Sequence, residues 1–356
     1  MFGSQVCYVE IKKGNFIVTG EACEWRKMFN RQTLVLSKED IEGLLTYEET
    51  IERVEYVFRE WGRGNIVMPA KINLDMSRSG YDSWANAMPA FVVPVKAAGI
   101  KWIGGYADNA RNNLPFIMGT ILLSDPQTGS TLAVMDGSHI TNLRTGASAM
   151  ICAKYLASSK TARLAIVGAG MQGHTSLKAM SFYFKNISVK VAEVSTGRRQ
   201  KFCETMRLKT GLDVSEAETV EEAVLDADII VLVTTAKQPI VKDNWIKPGA
   251  LVLAMGSFQQ VEDQFLLSSD KIVVDSLDQA THRGEIKNLV ETGKITKNKI
   301  YAELGEIVAG KKKGRESDKE RILMIPVGLG AHDICIAHHL YQLAVEKGKG
   351  VLVDLS

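Results

Sequence analysis

An α/β protein of two domains is what this sequence predicts, on three observations. The chain has 356 residues, enough for two domains at roughly 100–200 residues each. Between residues 66 and 136, short β-type runs separated by turn signals describe an antiparallel or mixed sheet. From residue 162, short apolar strands alternate with amphipathic helices, the signature of a parallel sheet with helical crossovers.

Composition narrows the function classes. Apolar residues make up 46% and charged residues 24% of the chain, the balance of a globular protein rather than a disordered one. The 43 basic and 41 acidic side chains leave a net charge of +2, so no global field holds a polyanion and nucleic acid is not an expected partner. No apolar run approaches the ~18–20 residues needed to span a bilayer, and Met1 to Tyr8 show no basic region followed by a long apolar stretch. A cytoplasmic protein without a membrane partner is expected. Cys7, Cys23, Cys152, Cys203 and Cys335 are odd in number and scattered, which suggests neither a disulfide framework nor a thiolate zinc site. His332, His338 and His339 cluster without accompanying ligand spacing, so no metal is expected.

The elements follow in order. Residues 6–19 alternate apolar and polar around Lys12-Lys13-Gly14-Asn15 and read as a hairpin in an N-terminal extension, residues 1–36. Ser37 followed by Glu39-Asp40 starts a helical stretch that breaks near Gly43–Thr46, resumes to Trp61 and ends at Gly62 and Gly64, giving two helices. Strands are expected at Ile66–Leu74, Ala87–Val93, Gly99–Tyr106, Phe116–Ser124 and Thr131–Asp136, with Asp125-Pro126-Gln127-Thr128-Gly129 as a turn. Helical periodicity covers 138–158. The parallel strands are Arg163–Val167, Ser188–Val194, Ile229–Thr234, Leu251–Met255 and Lys271–Asp275. The closing stretch Ile334–Lys347 is helical and is read as returning to the first domain.

Gly168-Ala169-Gly170-Met171-Gln172-Gly173 is a GxGxxG that follows the apolar strand Leu164–Val167 and opens a helix. Backbone N–H groups at that helix N-terminus can face a pyrophosphate, the first two glycines permit the tight turn and close approach, and the third lets helix and strand pack. Twenty residues after Gly173 stands Glu193, placed to bind both ribose hydroxyls. A dinucleotide-binding Rossmann domain is therefore expected. Glu193 would repel the 2′-phosphate of NADP, which favours NAD; Ser195, Thr196, Arg198 and Arg199 just beyond are the counter-indication. Thr234 ends a strand at the crevice where ligands bind, or is a plain polar strand end.

On the substrate side, Lys101 lies inside the apolar run Gly99–Gly105, either as an edge-strand solubiliser or as a buried functional group. Arg144 lies near the start of a helix lined with small residues, where its fork can take a carboxylate.

The run Gly99–Gly104 (GIKWIG), then Ala133–Ala149 (AVMDGSHITNLRTGASA), Ala165–Gly173 (AIVGAGMQG) and Ala302–Asp318 (AELGEIVAGKKKGRESD) resemble the ornithine cyclodeaminase and mu-crystallin family over about residues 37–355. The resemblance implies a homodimer and an inserted Rossmann domain, here 146–321, within an α+β substrate and dimerisation domain made from 37–145 and 322–356. It implies hydride transfer from the α-carbon of an L-amino acid or amino-acid adduct to NAD, giving an imine that is hydrolysed, or the reverse reduction. Lys101 and Arg144 match family residues at the substrate carboxylate and reacting centre. The third cation of that set is usually an arginine, and Lys71 in Val67-Met68-Pro69-Ala70-Lys71 stands at its position, keeping charge but losing the bidentate fork. Asp333, in Pro326–Asp333, matches an aspartate beside the nicotinamide, or serves as an acidic residue in a helix first turn. Thr145 is placed with the cofactor-binding residues.

Cyclodeaminases and some related alanine dehydrogenases of the family carry an aspartate shortly after the glycine ending the strand matching Leu251–Gly256, poised near the reacting amine or imine. Here Gly256-Ser257-Phe258-Gln259-Gln260-Val261-Glu262-Asp263 is shortened and lacks it, leaving Glu262 or Asp263 as substitutes. Ring closure needs such a carboxylate to deprotonate the attacking side-chain amine, so cyclodeamination of ornithine or lysine with recycled NAD is the second reading. The shortened segment also resembles siderophore-precursor dehydrogenases that oxidise a carboxyethyl-glutamate adduct. A non-catalytic small-ligand protein of the mu-crystallin type is the third reading.

Overall fold

The computed structural model describes residues 8–12, 15–19 and 32–355. β1 (Tyr8–Lys12) and β2 (Asn15–Thr19) pair antiparallel, as the hairpin reading expects. Cys7 and Cys23 lie outside the described residues, and Cys152, Cys203 and Cys335 are free and buried. No helix among the described residues is long and apolar enough to cross a membrane.

One sheet is mixed. It contains β3 (Gln32–Leu36), β4 (Ile66–Val67), β5 (Ile72–Asp75), β6 (Ser83–Val92), β7 (Ala97–Tyr106), β8 (Ile117–Ser124) and β9 (Thr131–Asp136), with the C-terminal strand Val351–Asp354. From one edge the order is the C-terminal strand, then β3-β9-β8-β7-β6-β4, with β5 also on β6. The continuous strand expected over Ile66–Leu74 is two strands, because Pro69 lies between them and has no N–H to offer a ladder. β3, assigned by sequence to the extension, lies inside the sheet, parallel to β9.

The second sheet is wholly parallel. Its strands are β10 (Arg163–Val167), β11 (Ser188–Ala192), β12 (Asp213–Ala217), β13 (Ile229–Leu232), β14 (Leu251–Ala254), β15 (Lys271–Val274), β16 (Ile300–Glu303) and β17 (Ile322–Ile325), in the order β12-β11-β10-β13-β14-β17-β15-β16. The direction of winding reverses between β10 and β13, and that reversal opens a crevice beyond their carboxyl ends. β17 lies between β14 and β15 in this sheet, fully buried, as its sequence Ile-Leu-Met-Ile demands. β12 escaped the sequence reading because an edge strand tolerates the acids of Asp-Val-Ser-Glu-Ala.

Helix starts follow local chemistry. Ser37 and Asp40 form a capping box on Lys38–Ile41, and Thr46 and Glu49 form one on Tyr47–Arg63, which ends at Gly64 in the left-handed region. The helix Ser138–Leu156 links the sheets and packs on the helix Met171–Tyr183 that follows the glycine turn. Their closest approach is at Gly146, where an added Cβ would lie 2.3 Å from the Thr175 carbonyl oxygen. The C-terminal helix Gly330–Glu346 lies against β6 and β7.

Because backbone faces backbone at this crossing, Gly146→Val forces the two helices apart. The expected cost is about 2 kcal/mol or more, read as a lower urea midpoint with an unchanged slope; a shift under about 0.5 kcal/mol would show that the crossing yields.

Candidate active site

The glycine turn sits at the switch point. Gly168 has φ +108° and an added Cβ would lie 2.8 Å from the Val233 carbonyl oxygen, so only glycine fits. An added Cβ at Gly173 would lie 2.5 Å from the Gly168 oxygen, which is the close helix–strand packing expected of the third glycine, whereas Gly170 faces open space. The helix Met171–Tyr183 has no side-chain N-cap, so its leading N–H groups are left for an anion. Ala169 N–H donates to Glu193 Oε2 at 3.1 Å, tying the turn to the acid beyond β11. Glu193 Oε1 accepts from Ser195 N–H at 3.1 Å and pairs with Arg198 at 2.9 Å. Arg199 turns to Glu216 at 2.9 Å and to the Glu193 carbonyl. These residues fit a dinucleotide: the uncapped helix end would face its pyrophosphate and Glu193 would take its ribose hydroxyls.

Of the other cofactor candidates, Gln172 donates to Asn142 at 3.3 Å and Met171 is exposed. Thr145 Oγ1 donates to the Thr141 carbonyl one turn back. Thr234 Oγ1 accepts from the Gln260 side chain at 2.6 Å and from Ala236 N–H at 3.1 Å, so it anchors a loop at the crevice.

Facing this crevice is a buried cluster of charge. Lys101, on the inner face of β7, is fully buried; its Nζ lies 2.6 Å from Asp333 Oδ2 and 3.2 Å from Thr141 Oγ1. Asp333, in the first turn of Gly330–Glu346 and fully buried, also accepts from Arg144 Nε at 3.1 Å. The carboxylate takes only Nε of the guanidinium, which leaves the terminal nitrogens to fork onto another acid. Lys71 Nζ donates to the Val327 carbonyl at 2.9 Å. Gly328, at φ +95°, brings the turn so close that an added Cβ would lie 2.8 Å from Arg144 Nη1. Lys71, Lys101, Arg144 and Asp333 are thus brought together around one turn.

The electrostatics follow from burial. Desolvation, then the Arg144 charge, push Lys101 down to about 7, while the Asp333 carboxylate favours the protonated lysine. Lys71 also falls to about 7, through burial and then the Arg283 charge. Burial works against ionised Asp333, but Arg144 and Lys101 outweigh it and hold its pKa below the usual carboxylate range. His332, edge-on to Phe58 at 4.5 Å, is driven down to about 3 by burial and stays neutral.

Three residues of this region escaped the sequence reading. Asp275, just beyond β15, accepts from Gly328 N–H at 2.5 Å and is raised to about 6 by burial, while its Oδ1 is buried without a partner. Its signal was available, an acid at the carboxyl end of a parallel strand. Gln279 lines the same cleft as Lys71 and Met88, with Oε1 buried and unpartnered. Arg283 donates to Ser257 Oγ at 2.8 Å and lies over the Trp84 ring at 5.1 Å, and no sequence pattern pointed to it. Neither Glu262 nor Asp263 joins the cluster. Glu262 accepts from Asp243 N–H at 3.2 Å, and Asp263 pairs with Lys294 at 2.9 Å. The shortened segment is held by Glu285, whose carboxylate takes Gln260 N–H and Val261 N–H.

The family model of the ornithine cyclodeaminase/mu-crystallin family matches residues 31–348. The chain belongs to that family. Among family relatives, alanine dehydrogenase of Archaeoglobus fulgidus is 34% identical over 90% of this chain and 97% of its own. The solved structure of Thermococcus litoralis Δ1-pyrroline-2-carboxylate reductase, in complex with NADH and L-proline, is 34% identical, covers 90% of this chain and 100% of that chain, and has a TM-score of 0.85. An archaeal alanine dehydrogenase dimer with bound NAD is 34% identical with a TM-score of 0.86, over 91% of this chain and 100% of that one. A Rossmann domain combined with an α+β domain is thus the fold of this family member.

The two lowered lysines make anion binding pH-linked. A carboxylate seated beside them favours their charged forms, so binding takes up protons between about pH 7 and the ordinary lysine value of 10.5. Calorimetric titration of acetate near pH ~8, in two buffers of different ionisation enthalpy, measures this uptake. Equal heats in the two buffers would mean that both lysines already carry their protons in the free protein.

Proposed function

We propose that this protein is an NAD-dependent oxidoreductase acting on the Cα–N bond of an L-amino acid, with the Lys71–Lys101–Arg144 cluster receiving the substrate carboxylate. The observation that carries this reading is the placement of these buried cations, with Asp333 as counter-ion, facing a glycine turn that fits a dinucleotide. NAD supplies a hydride acceptor when bound. Arg144 offers its terminal nitrogens to the carboxylate, and Lys71 adds charge without a fork. The three cations together disfavour a protonated substrate amine, so its nitrogen is readied to form the imine as the α-hydride departs. Water then adds to the imine carbon and ammonia leaves, so amino acid, NAD⁺ and water give 2-oxo acid, ammonium, NADH and a proton. The reverse sequence reduces an imine.

Glu193 supports NAD over NADP: its carboxylate, tied to Ala169 and Ser195, also takes Arg198, and Arg199 is spent on Glu216 and the Glu193 carbonyl, so neither arginine is left free for a 2′-phosphate. A homodimer is supported by the outer face of the mixed sheet, where Val35, Trp102 and Met118 are exposed around a trough of about 390 Å³. The domain division is proposed as the mixed sheet with the C-terminal helix on one side and the parallel sheet, β17 included, on the other.

Absorbance at the NADH band, with NAD and L-alanine, ornithine, lysine or amino-acid adducts, tests the reading. Net NADH with a 2-oxo acid or a released amine is expected, and Lys101→Ala or Arg144→Ala should lower kcat/KM at least about tenfold, some 1.4 kcal/mol. Proline or pipecolate without net NADH would establish cyclodeamination instead, a reading weakened by the engagement of Glu262 and Asp263 elsewhere. Cofactor binding without turnover would favour the ligand-binding reading.

For the cofactor, Glu193→Ala should raise the NADPH-to-NADH ratio of kcat/KM about tenfold or more by removing the repelling carboxylate. An unchanged ratio would place discrimination elsewhere.

A further inference from the structure

Arg283 is a cation without an acid. Among the described residues its recorded contacts are neutral: the Asn86 side-chain oxygen at 3.4 Å, Ser257 Oγ at 2.8 Å and the Trp84 ring at 5.1 Å. It is only partly exposed, so solvent does not fully repay its charge. It is also the charge that acts most on Lys71, while the charges felt by Lys101 are those of Arg144 and Asp333. By contact, Lys101 and Arg144 meet at Asp333, Lys71 reaches the adjoining turn at Val327, and Arg283 reaches Asn86 on β6, which sets the cations in that sequence.

The strand register gives that sequence a scale. Met88 on β6 stands opposite Lys101 on β7, and Met88 lines the cleft with Lys71. Two residues back on the same face, Asn86 stands opposite Ile103 on β7 and Asn73 on β5, and its side-chain oxygen takes the Asn73 amide at 3.0 Å as well as Arg283. Two strand positions are roughly 7 Å. Arg283 is displaced along β6 from the level of the Lys101 cluster by about the reach of a short acidic side chain.

We propose that the substrate carries a second carboxylate, and that Arg283 is the specificity-determining residue that receives it. This rests on the hydride-transfer reading above and names its substrate class as a dicarboxylic amino acid or the corresponding imine. The aromatic face of Trp84 holds the guanidinium plane from one side, and Asn86 and Ser257 fix its rotation, so the fork is organised before the ligand arrives. Ser257 belongs to the shortened segment after β14, which Glu285 pins through Gln260 and Val261. The segment thus contributes a hydroxyl that orients a cation.

The test is reductive amination with the full-length protein, NADH and ammonium, comparing oxaloacetate and 2-oxoglutarate with pyruvate and 2-oxobutyrate. The dicarboxylic acids should lead in kcat/KM by about tenfold or more, the worth of one charge-assisted pair. Arg283→Gln should collapse that ratio about tenfold, mainly through KM, and Arg283→Lys should restore part of it. A wild-type preference for the monocarboxylic acids, or a ratio that Arg283→Gln leaves unmoved, overturns the proposal.

A binding arm separates this inference from the reading beneath it. Succinate and glutarate, against propionate and butyrate, are titrated calorimetrically into the NAD-loaded protein and into both variants. Arg283-dependent selectivity for the diacids without turnover of any substrate would sink the hydride-transfer reading and keep this site. Turnover confined to monocarboxylic imines, with equal diacid and monoacid affinities, would sink this site and keep that reading. Equal weakening of both ligand classes by Arg283→Gln would put Arg283 on the α-carboxylate and also overturn it.

Discussion

The site depends on one buried carboxylate held between two cations. Asp333 is fully covered, and so is Lys101 at 2.6 Å; Arg144 closes the other side at 3.1 Å. Burying such charges singly would cost several kcal/mol each, and only mutual pairing with good geometry offsets that. The three groups come from β7, from the helix that links the two sheets and from the C-terminal helix. Their pairing therefore ties the segment before the parallel strands to the helix that follows them. Gly328 belongs to the same constraint: at φ +95° it adopts a backbone conformation that favours glycine, and a Cβ there would press on Arg144 Nη1, while one at Gly330 would lie 3.0 Å from the Met88 carbonyl oxygen.

From that anchor the division of labour follows. Asp333 neutralises Lys101 and one nitrogen of Arg144, so the cluster is not a store of unpaired charge. The surplus lies on Lys71, whose charge buried Asp275 offsets only in part, on the terminal nitrogens of Arg144 and on Arg283, whose contacts among the described residues are neutral. Across the crevice the glycine turn offers partial positive charge from an uncapped helix end. On the proposed function, the cation cluster would receive the substrate carboxylate and the helix end the dinucleotide, which would hold the reacting atoms together.

Much of this was legible in the sequence because the controlling features are local. Gly168, Gly170 and Gly173 follow an apolar strand at fixed spacing, Ser37 and Thr46 announce their helices, and Arg163–Val167 has the observed bounds. Lys101 stood out as a charge within an apolar run. What stayed hidden is set by contacts far apart in the chain. The partnership of Asp333 with Lys101 joins residues far apart in the chain, so its first-turn position could equally be read as a favourable dipole contact. β17 was missed because four apolar residues carry no period, and its place between β14 and β15 depends on the whole sheet. Arg283 has no sequence signature at all; only folding sets its guanidinium over Trp84.

The lowered lysines connect stability with binding. Lys71 and Lys101 have folded values of about 7 against an ordinary 10.5, so between these limits the unfolded chain binds more protons than the folded one. Stability contributed by these two groups therefore rises with pH across that window, and their penalty is fully present below about 7. A carboxylate entering the cleft reverses the sense of the shift, since it favours the charged forms that burial opposes. The strain of holding cations in an incompletely neutralised cleft is thereby relieved by an anionic ligand. Asp333 limits that strain to what the fold tolerates. Buried Asp275 offsets part of the charge on Lys71 without forming an ion pair with it; an acid at salt-bridge distance would leave the free protein more comfortable, and the substrate carboxylate would meet a site already satisfied.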